Sequence, residues 1–392
     1  SKRRSRSMKE NPIYMGFKMK IVSPTAPGLH RLLPISPDCH GYRKEFGFPG
    51  AGLALLLGIL LALLFPAAAR AEGSGLFETF TVYLENDAFT GTDRDYTNGL
   101  KLTWATGYEP HDGDGHLPAW VHGVMDRLPF LQSPENLRAL SLSVSQNIYT
   151  PEDTDRSDLI KDDRPYAGII SVAAGLHART GRQKDTWEFS LGLLGPHSYA
   201  EEAQNWVHDL THSKRARGWD NQLEDELLVD IVYERQWRLF QSTRGSGFNY
   251  DFSSHLGGRI GNVAVYANAG VEIRFGWQLP TNFGTCPIRL GCEADKSNGR
   301  SVELFSPGSP FTYHGFVGID GRVLLRDITL DGNTFKESHS VDRKSLVADV
   351  MVGISVEYGR LLASYAYIFR SHQFEEQDYN PSFGAVRLSY AV

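Results

Sequence analysis

Apolar and polar residues alternate with a period of two over most of the chain. Leu140, Leu142 and Val144 interleave with Ser141, Ser143 and Ser145, and Trp187, Phe189, Leu191 and Leu193 with Glu188, Ser190 and Gly192. Leu227, Val229, Ile231 and Tyr233 interleave with Asp230, Val232 and Glu234, and Val350, Val352, Ile354 and Val356 with Asp349, Ser355 and Glu357. Successive side chains of an extended strand point to opposite faces, so this pattern predicts strands with one apolar and one polar face. Twelve are predicted, near 76–86, 96–106, 138–148, 166–178, 186–194, 226–240, 246–257, 263–277, 310–325, 344–358, 361–371 and 382–392.

Two-faced strands suit a sandwich or a transmembrane barrel, and three features favour the barrel. The strands run to about ten residues or more, the length of a tilted crossing. Their polar face carries full charges in mid-strand (Lys101, Glu188, Asp230, Glu234, Asp349, Glu357), which a dry core rejects and a wet or networked lumen accepts. Aromatics near strand ends (Tyr96, Trp104, Trp237, Trp277) read as interface girdles. The expected fold is therefore all-β, a transmembrane antiparallel β-barrel of about twelve strands with a short helix in an outer loop. An even strand count puts both termini on one side, so loops 86–95, 148–165 and 195–225 share the outer rim.

Composition adjusts this picture at the N-terminus. Mean hydropathy is -0.31, and one long apolar run, Ala51–Ala69, follows Arg43 and Lys44 and leads into Ala69-Arg70-Ala71. That is the layout of a secretory signal peptide. Residues 1–71 are expected to be signal peptide and upstream segment, and 72–392 a single outer-membrane barrel domain. Residues 1–71 hold 11 of the 40 basic and 3 of the 46 acidic residues, which leaves 29 and 43, a net charge of -14. Such an acidic exported chain is a poor binder of nucleic acid. Cys286 and Cys292 share one loop and could pair in an oxidising compartment; no zinc-type Cys/His spacing accompanies them.

Polar residues collect in the three outer loops. The first, Glu85 to Leu100, carries Asn86, Asp87, Asp93, Asp95, Thr97 and Asn98, the hard oxygen donors that Ca²⁺ takes; the same residues serve ordinary turns. The second contains Gln146-Asn147-Ile148-Tyr149-Thr150-Pro151 and Asp163-Arg164-Pro165-Tyr166-Ala167-Gly168. Its Arg156, Lys161 and Arg164 could meet phosphate or sugar groups or balance neighbouring aspartates. The third carries the one clear helix signal, Tyr199–Ser213, with Ser198 and Glu201 spaced as a capping box. Ala203, Trp206, Val207 and Leu210 form its apolar stripe, suited to rest on the wall or in headgroups, and Gln204 and His208 share a different face. An imidazole is a base of the strength that water attack on an ester requires, although an isolated helix histidine is usually inert. No G-x-S-x-G elbow marks a serine nucleophile.

Asn86-Asp87, Thr92-Asp93-Arg94-Asp95-Tyr96-Thr97-Asn98-Gly99-Leu100, the two second-loop motifs, and Gly195-Pro196 through Gln204, His208 and Gly218-Trp219-Asp220-Asn221-Gln222 together closely resemble the lipid A 3′-O-deacylase family of the Gram-negative outer membrane. The resemblance spans most of residues 72–392. It implies a twelve-stranded barrel with its site between the outer wall and a loop helix, and an ester hydrolysis similar to that of secreted phospholipase A2. It implies Ca²⁺ as cofactor, His208 as the base, and Asn86, Asp87 and Thr97 around the scissile ester or ion, with Asp87 as a metal ligand. Gln204 would sit beside His208 toward the substrate, and Arg156 and Arg164 are further candidate substrate contacts. The substrate implied is the 3′-linked acyloxyacyl chain of lipid A (lipopolysaccharide), taken in the outer leaflet among outer-membrane lipids by a monomer. Two positions depart from the family: six residues after His208 stands Lys214 where some members have an acid, and the chain ends Tyr390-Ala391-Val392 rather than in an aromatic. An outer-membrane phospholipase and a non-catalytic barrel or small porin are the competing expectations.

Overall fold

The computed structural model describes residues 76–87, 95–111, 115–242, 247–280, 282–284 and 311–392, with the backbone alone described at Asp95 and Thr97. The predicted signal segment (1–71) and the Cys286/Cys292 pair lie outside these residues. Among the described residues the strands, in chain order, are β1 (Thr79–Asn86), β2 (Asp95–Ala105), a two-residue β3 (Glu109–Pro110), β4 (Leu137–Thr150), β5 (Ala167–Arg179), β6 (Gln183–Leu194), β7 (Glu226–Gln241), β8 (Phe248–Gly261), β9 (Ala264–Trp277), β10 (Phe311–Asp327), β11 (Leu346–Tyr358), β12 (Leu361–Arg370) and β13 (Ser382–Ala391). Three helices accompany them, α1 (Ala119–Met125), α2 (Ala200–Thr211) and α3 (Ile328–Asp331).

All strands but β3 form one closed antiparallel barrel. Neighbours pair in sequence order, β2 bridges to β4, and β1 closes on β13 from Thr79↔Ala391 to Asn86↔Gly384. No helix among the described residues is long and apolar enough to cross a membrane; the crossing is made by strands. The twelve predicted strands match those observed to within a few residues, and β3 adds to them by pairing with the foot of β4.

The alternation does what the pattern requires. On β7 Leu227, Val229 and Ile231 face out and are exposed, while Leu228, Asp230, Val232 and Glu234 are buried inside. Lys101, Glu188, Asp230, Glu234, Asp349 and Glu357 are all buried on the lumen side. A buried charge survives only when paired, and the lumen supplies partners. Arg274 donates to Asp251 at 2.9 Å, Arg259 to Asp230 at 3.1 Å and Arg370 to Asp349 at 2.8 Å, and His255 lies 2.6 Å from Asp320. The interior is a packed ionic network enclosing a cavity of about 140 Å³.

One expected girdle residue is corrected. Tyr96 lies inside the barrel, buried between Tyr149 and Phe383 at ring-centroid distances of 5.3 and 5.2 Å. The register of β2 against β4 skips from Tyr96 to Asn98, so Thr97 is the extra residue of a β-bulge. A one-residue slip exchanges the faces, which sends Tyr96 inward although Asn98, Leu100 and Leu102 face out.

The connections that follow β4, β6, β10 and β12 share one rim, where they are stitched together. Gly195 N donates to Gly168 O at 3.0 Å, Leu223 N to Tyr166 O at 2.9 Å, Glu224 N to Asn333 Oδ1 at 3.1 Å, and Lys344 N to Gln373 O at 2.8 Å. The strand-parity expectation that loops 86–95, 148–165 and 195–225 share a rim agrees with this arrangement.

Candidate active site

Outward-facing positions of a membrane barrel should be apolar, and along most rows they are. Leu84, Leu100, Ile170 and Leu193 form one such row around β1, β2, β5 and β6, interrupted only by Gln146 on β4. The next row toward the rim reads Asn86, Asn98, Ile148 and Gly168. Paired residues of antiparallel strands share a face, and Asn86 alternates with Glu85, which lines the lumen cavity. Two asparagines therefore sit side by side on the lipid side of the wall. An amide buried without compensation costs about 1–3 kcal/mol, so a polar notch here needs a reason.

The reason is α2, which lies over β4 and β5 on the outside of the barrel. The chain reaches it through Gly195, at φ 97, and a short 3₁₀ turn Pro196–Ser198. Gly168 is required beneath: a Cβ there would fall 2.2 Å from both the Ala200 Cβ and the Ser198 Oγ. Gln146, the polar intruder of the lower row, donates to Ser198 O at 2.7 Å and so fixes the lead-in. Ile148, Tyr166, Ala200, Ala216 and Trp219 pack together under the helix.

The capping box expected from Ser198 and Glu201 does not form. The helix begins at Ala200, capped by Tyr199 in the left-handed region without a side-chain cap bond. The turn onto the wall consumes the residues that would have capped it. The expected apolar stripe divides: Ala203 packs toward the wall, while Trp206, 58% exposed, and Leu210 face away with Tyr199; Ala200, Gln204 and His208 are buried. In water such a helix would be inverted; against a wall that faces lipid, outward apolar residues are the favourable choice.

Gln204 is held in a defined orientation. Trp219 Nε1 donates to its Oε1 at 2.8 Å, and an indole N–H can only donate, so the carboxamide oxygen faces Trp219 and the NH₂ faces away. That Nε2 is buried without a hydrogen-bond partner among the described residues, as is Asn98 Oδ1. Either costs stability unless a ligand completes it. His208 lies one turn further on the same buried face. Asp87 is buried at the end of β1. Thr97 is the bulge residue of β2, and bulges commonly re-aim side chains beside active sites; its own side chain lies outside the described residues.

The other predicted residues stand elsewhere. Arg156 is exposed and bonded to Asp158 (Nε to Oδ1, 3.2 Å). Arg164 is buried at the barrel mouth, donating to Thr329 at 3.3 Å and Gln373 at 3.5 Å and lying over the Tyr149 ring; it is not on the outer wall. Lys214 pairs with Asp155 at 2.7 Å. Asn98 is a site residue that the sequence motifs do not distinguish from their neighbours; its signal is an amide in an outward row, masked in sequence by the bulge at Thr97.

The electrostatics around the helix are local. Burial, with Glu202 and Asp220 nearby, pushes the Glu201 carboxyl up, against a hydrogen bond from Asn205. Burial also opposes ionisation of Asp225, but backbone and side-chain hydrogen bonds from His197 outweigh it and hold the carboxyl below its ordinary range. The His197–Asp225 contact, 2.6 Å, ties the lead-in turn to the foot of β7.

A family model described as outer membrane protein LpxR matches residues 55–392. The structure of LpxR from Salmonella typhimurium is similar at TM-score 0.62 and 18% identity, covering 80% of this chain and 100% of that one. The β domain of the Bordetella autotransporter BrkA aligns at TM-score 0.39 and 7% identity, covering 81% of this chain and 100% of that one. The translocator domain of NalP from Neisseria meningitidis aligns at 0.35 and 12%, covering 87% and 96%. No curated protein matches the chain.

Proposed function

The chain belongs to the outer membrane protein LpxR family, and from that premise we propose that it is a lipid A 3′-O-deacylase, hydrolysing the ester of the 3′-linked acyloxyacyl chain in the outer leaflet. The observation that supports this best is the polar notch on the lipid-facing wall, Asn86 and Asn98 on β1 and β2, beside the strands β4 and β5 onto which α2 turns Gln204 and His208 inward. A substrate whose ester lies at the boundary of headgroup and acyl chain is met from the side, in the membrane plane, not through the lumen. The ionic packing of the lumen argues against the porin alternative, and single-channel recording should find little conductance.

In this reading His208 Nδ1 or Nε2 takes the proton of a water attacking the ester carbonyl, and returns it to the leaving alkoxide. Gln204, its carboxamide fixed by Trp219, offers Nε2–H to the water or the carbonyl oxygen. Asn86 and Asn98 present amides to the developing tetrahedral centre. The hard donors here, the Asp87 carboxylate, Asn86 and the uncommitted Asn98 Oδ1, fit a Ca²⁺ ion, while no group of three or more His, Cys, Asp or Glu side chains occurs among the described residues. When bound, that ion would polarise the ester carbonyl. Arg156 at the rim is kept as a contact for the phosphorylated headgroup; Arg164, engaged at the barrel mouth, is a weaker candidate. Residues 1–71 fit the role of export signal and upstream segment, and the barrel closes on itself as a monomer would.

The test is incubation of refolded protein with hexa-acylated lipid A in Ca²⁺ or in EDTA, read by mass spectrometry. Loss of the 3′ acyloxyacyl unit in Ca²⁺ alone is expected. Intact lipid A in both, from folded protein, overturns the proposal, and release of fatty acid from glycerophospholipid instead favours the phospholipase reading.

A further inference from the structure

The outer wall carries a second cover at the opposite end of the barrel. Some connections at the base are short: β5 and β6 are joined by three residues and β11 and β12 by two. The connection from β2 to β4 is long, and its residues 115–136, including α1, fold back onto the outside of the wall. The register shows where. Leu140, Leu176, Trp187 and Tyr233 are paired across β4 to β7, and so are Arg138, Ala178, Asp185 and Arg235 one row lower. Both rows share parity with the exposed Leu142, Val172, Leu191 and Ile231, so they face out. Leu117, Val121, Met125 and Leu131 of the cover pack on Leu140, Leu176 and Ala178. Trp187 Nε1 donates to Pro129 O at 3.0 Å, and Phe130 stacks on Tyr233 at 5.4 Å.

The cover has a second apolar face. Trp120 and Val124, four apart on α1, point away from the wall with Trp120 66% exposed, and Phe130 is 53% exposed. The row just above, Leu142, Ala174, Phe189 and Ile231, which meets the cluster under the cover at Phe189, belongs to the lipid-facing belt, so this face continues a surface already in contact with lipid. Amphipathic aromatics are favoured where headgroups meet acyl chains. We propose that segment 115–136 is a membrane-seated cover, with Trp120, Val124 and Phe130 inserted at the headgroup–acyl boundary of the phospholipid leaflet at the base of the barrel. It shields the outward-facing Arg138, Asp185 and Arg235 from that leaflet. The inference is independent of the enzymatic reading.

The test uses the full chain refolded into phosphatidylcholine vesicles whose acyl chains are brominated near the carbonyl or near the methyl end. The tryptophan emission of wild type minus that of Trp120→Phe isolates Trp120. Loss of most of that difference signal with carbonyl-end bromine, less with methyl-end bromine, and little with aqueous iodide is expected. Quenching by iodide with no response to either bromolipid overturns the proposal. If Trp120→Phe loses heat-modifiable gel migration, Val124→Trp in the otherwise native chain replaces it: its added emission must be quenched by carbonyl-end bromine, and added emission quenched by iodide alone overturns the proposal.

Discussion

Two helical covers lie on the outside of one barrel, and they solve different problems. The base cover buries apolar side chains inward and engages most of the polar groups beneath it, Arg138 Nε excepted. Arg138 donates to Asp126 at 2.7 Å and to Leu131 O at 2.9 Å, and Asp185 accepts from Tyr233 and Arg235 at 2.6 Å each. The rim cover, α2, turns Gln204 and His208 inward instead, onto β4 and β5 beside Asn86 and Asn98, and Gln204 Nε2 and Asn98 Oδ1 are uncompensated. A cover whose buried charges bond one another serves stability; one that turns an amide and an imidazole onto a wall already carrying amides offers them to a ligand. Both show apolar side chains outward, because both face lipid.

The largest contrast should come from His208→Ala. Removing a general base costs about 10²–10⁴-fold in rate, and lipid A turnover should fall by that much while heat-modifiable migration is retained. Gly168→Val comes next: with 2.2 Å clearances already closed, α2 must lift from the wall. A misplacement of about 1 Å can cost roughly 10²-fold, so turnover should collapse while the barrel's unfolding midpoint stays put.

Arg138→Met reverses the pattern. The base cover should loosen by about 1–3 kcal/mol, seen as a lower denaturant midpoint for exchange of the 115–136 amides, with lipid A turnover unchanged. Trp219→Phe frees the Gln204 carboxamide to rotate, at the scale of one hydrogen bond, about 1 kcal/mol, or several-fold in turnover.

The smallest effect is a pH dependence. The Asp225 carboxyl sits below its ordinary range, so its tether to His197 is complete above that range and is lost as pH falls through the lowered value. Acid should loosen the lead-in to α2, read as faster proteolysis near Gly195, and Asp225→Asn should show the same loosening at neutral pH.

The strands and the charged lumen were legible because the period-two pattern is imposed twelve times over, by lipid on one side and paired ions on the other. The shared face of Gln204 and His208 was legible from their spacing. Which face of α2 turns inward was not, since the stripe of Trp206 and Leu210 suits the barrel wall and the lipid headgroups equally well. Tyr96 was misplaced by the bulge at Thr97, a backbone event with no composition of its own. Arg164 reaches Thr329 and Gln373, 165 and 209 residues away in the chain, a contact no local spacing announces. The base cover was missed because a seven-residue helix carries too little periodicity to stand out.

The most direct measurement sets the two covers side by side: lipid A hydrolysis, resolved by acyl position in the mass spectrometer, by refolded His208→Ala and Arg138→Met. Loss of 3′ deacylation in the first and its retention in the second would place the chemistry under the rim helix. Continued release of the 3′ chain by His208→Ala would contradict that assignment.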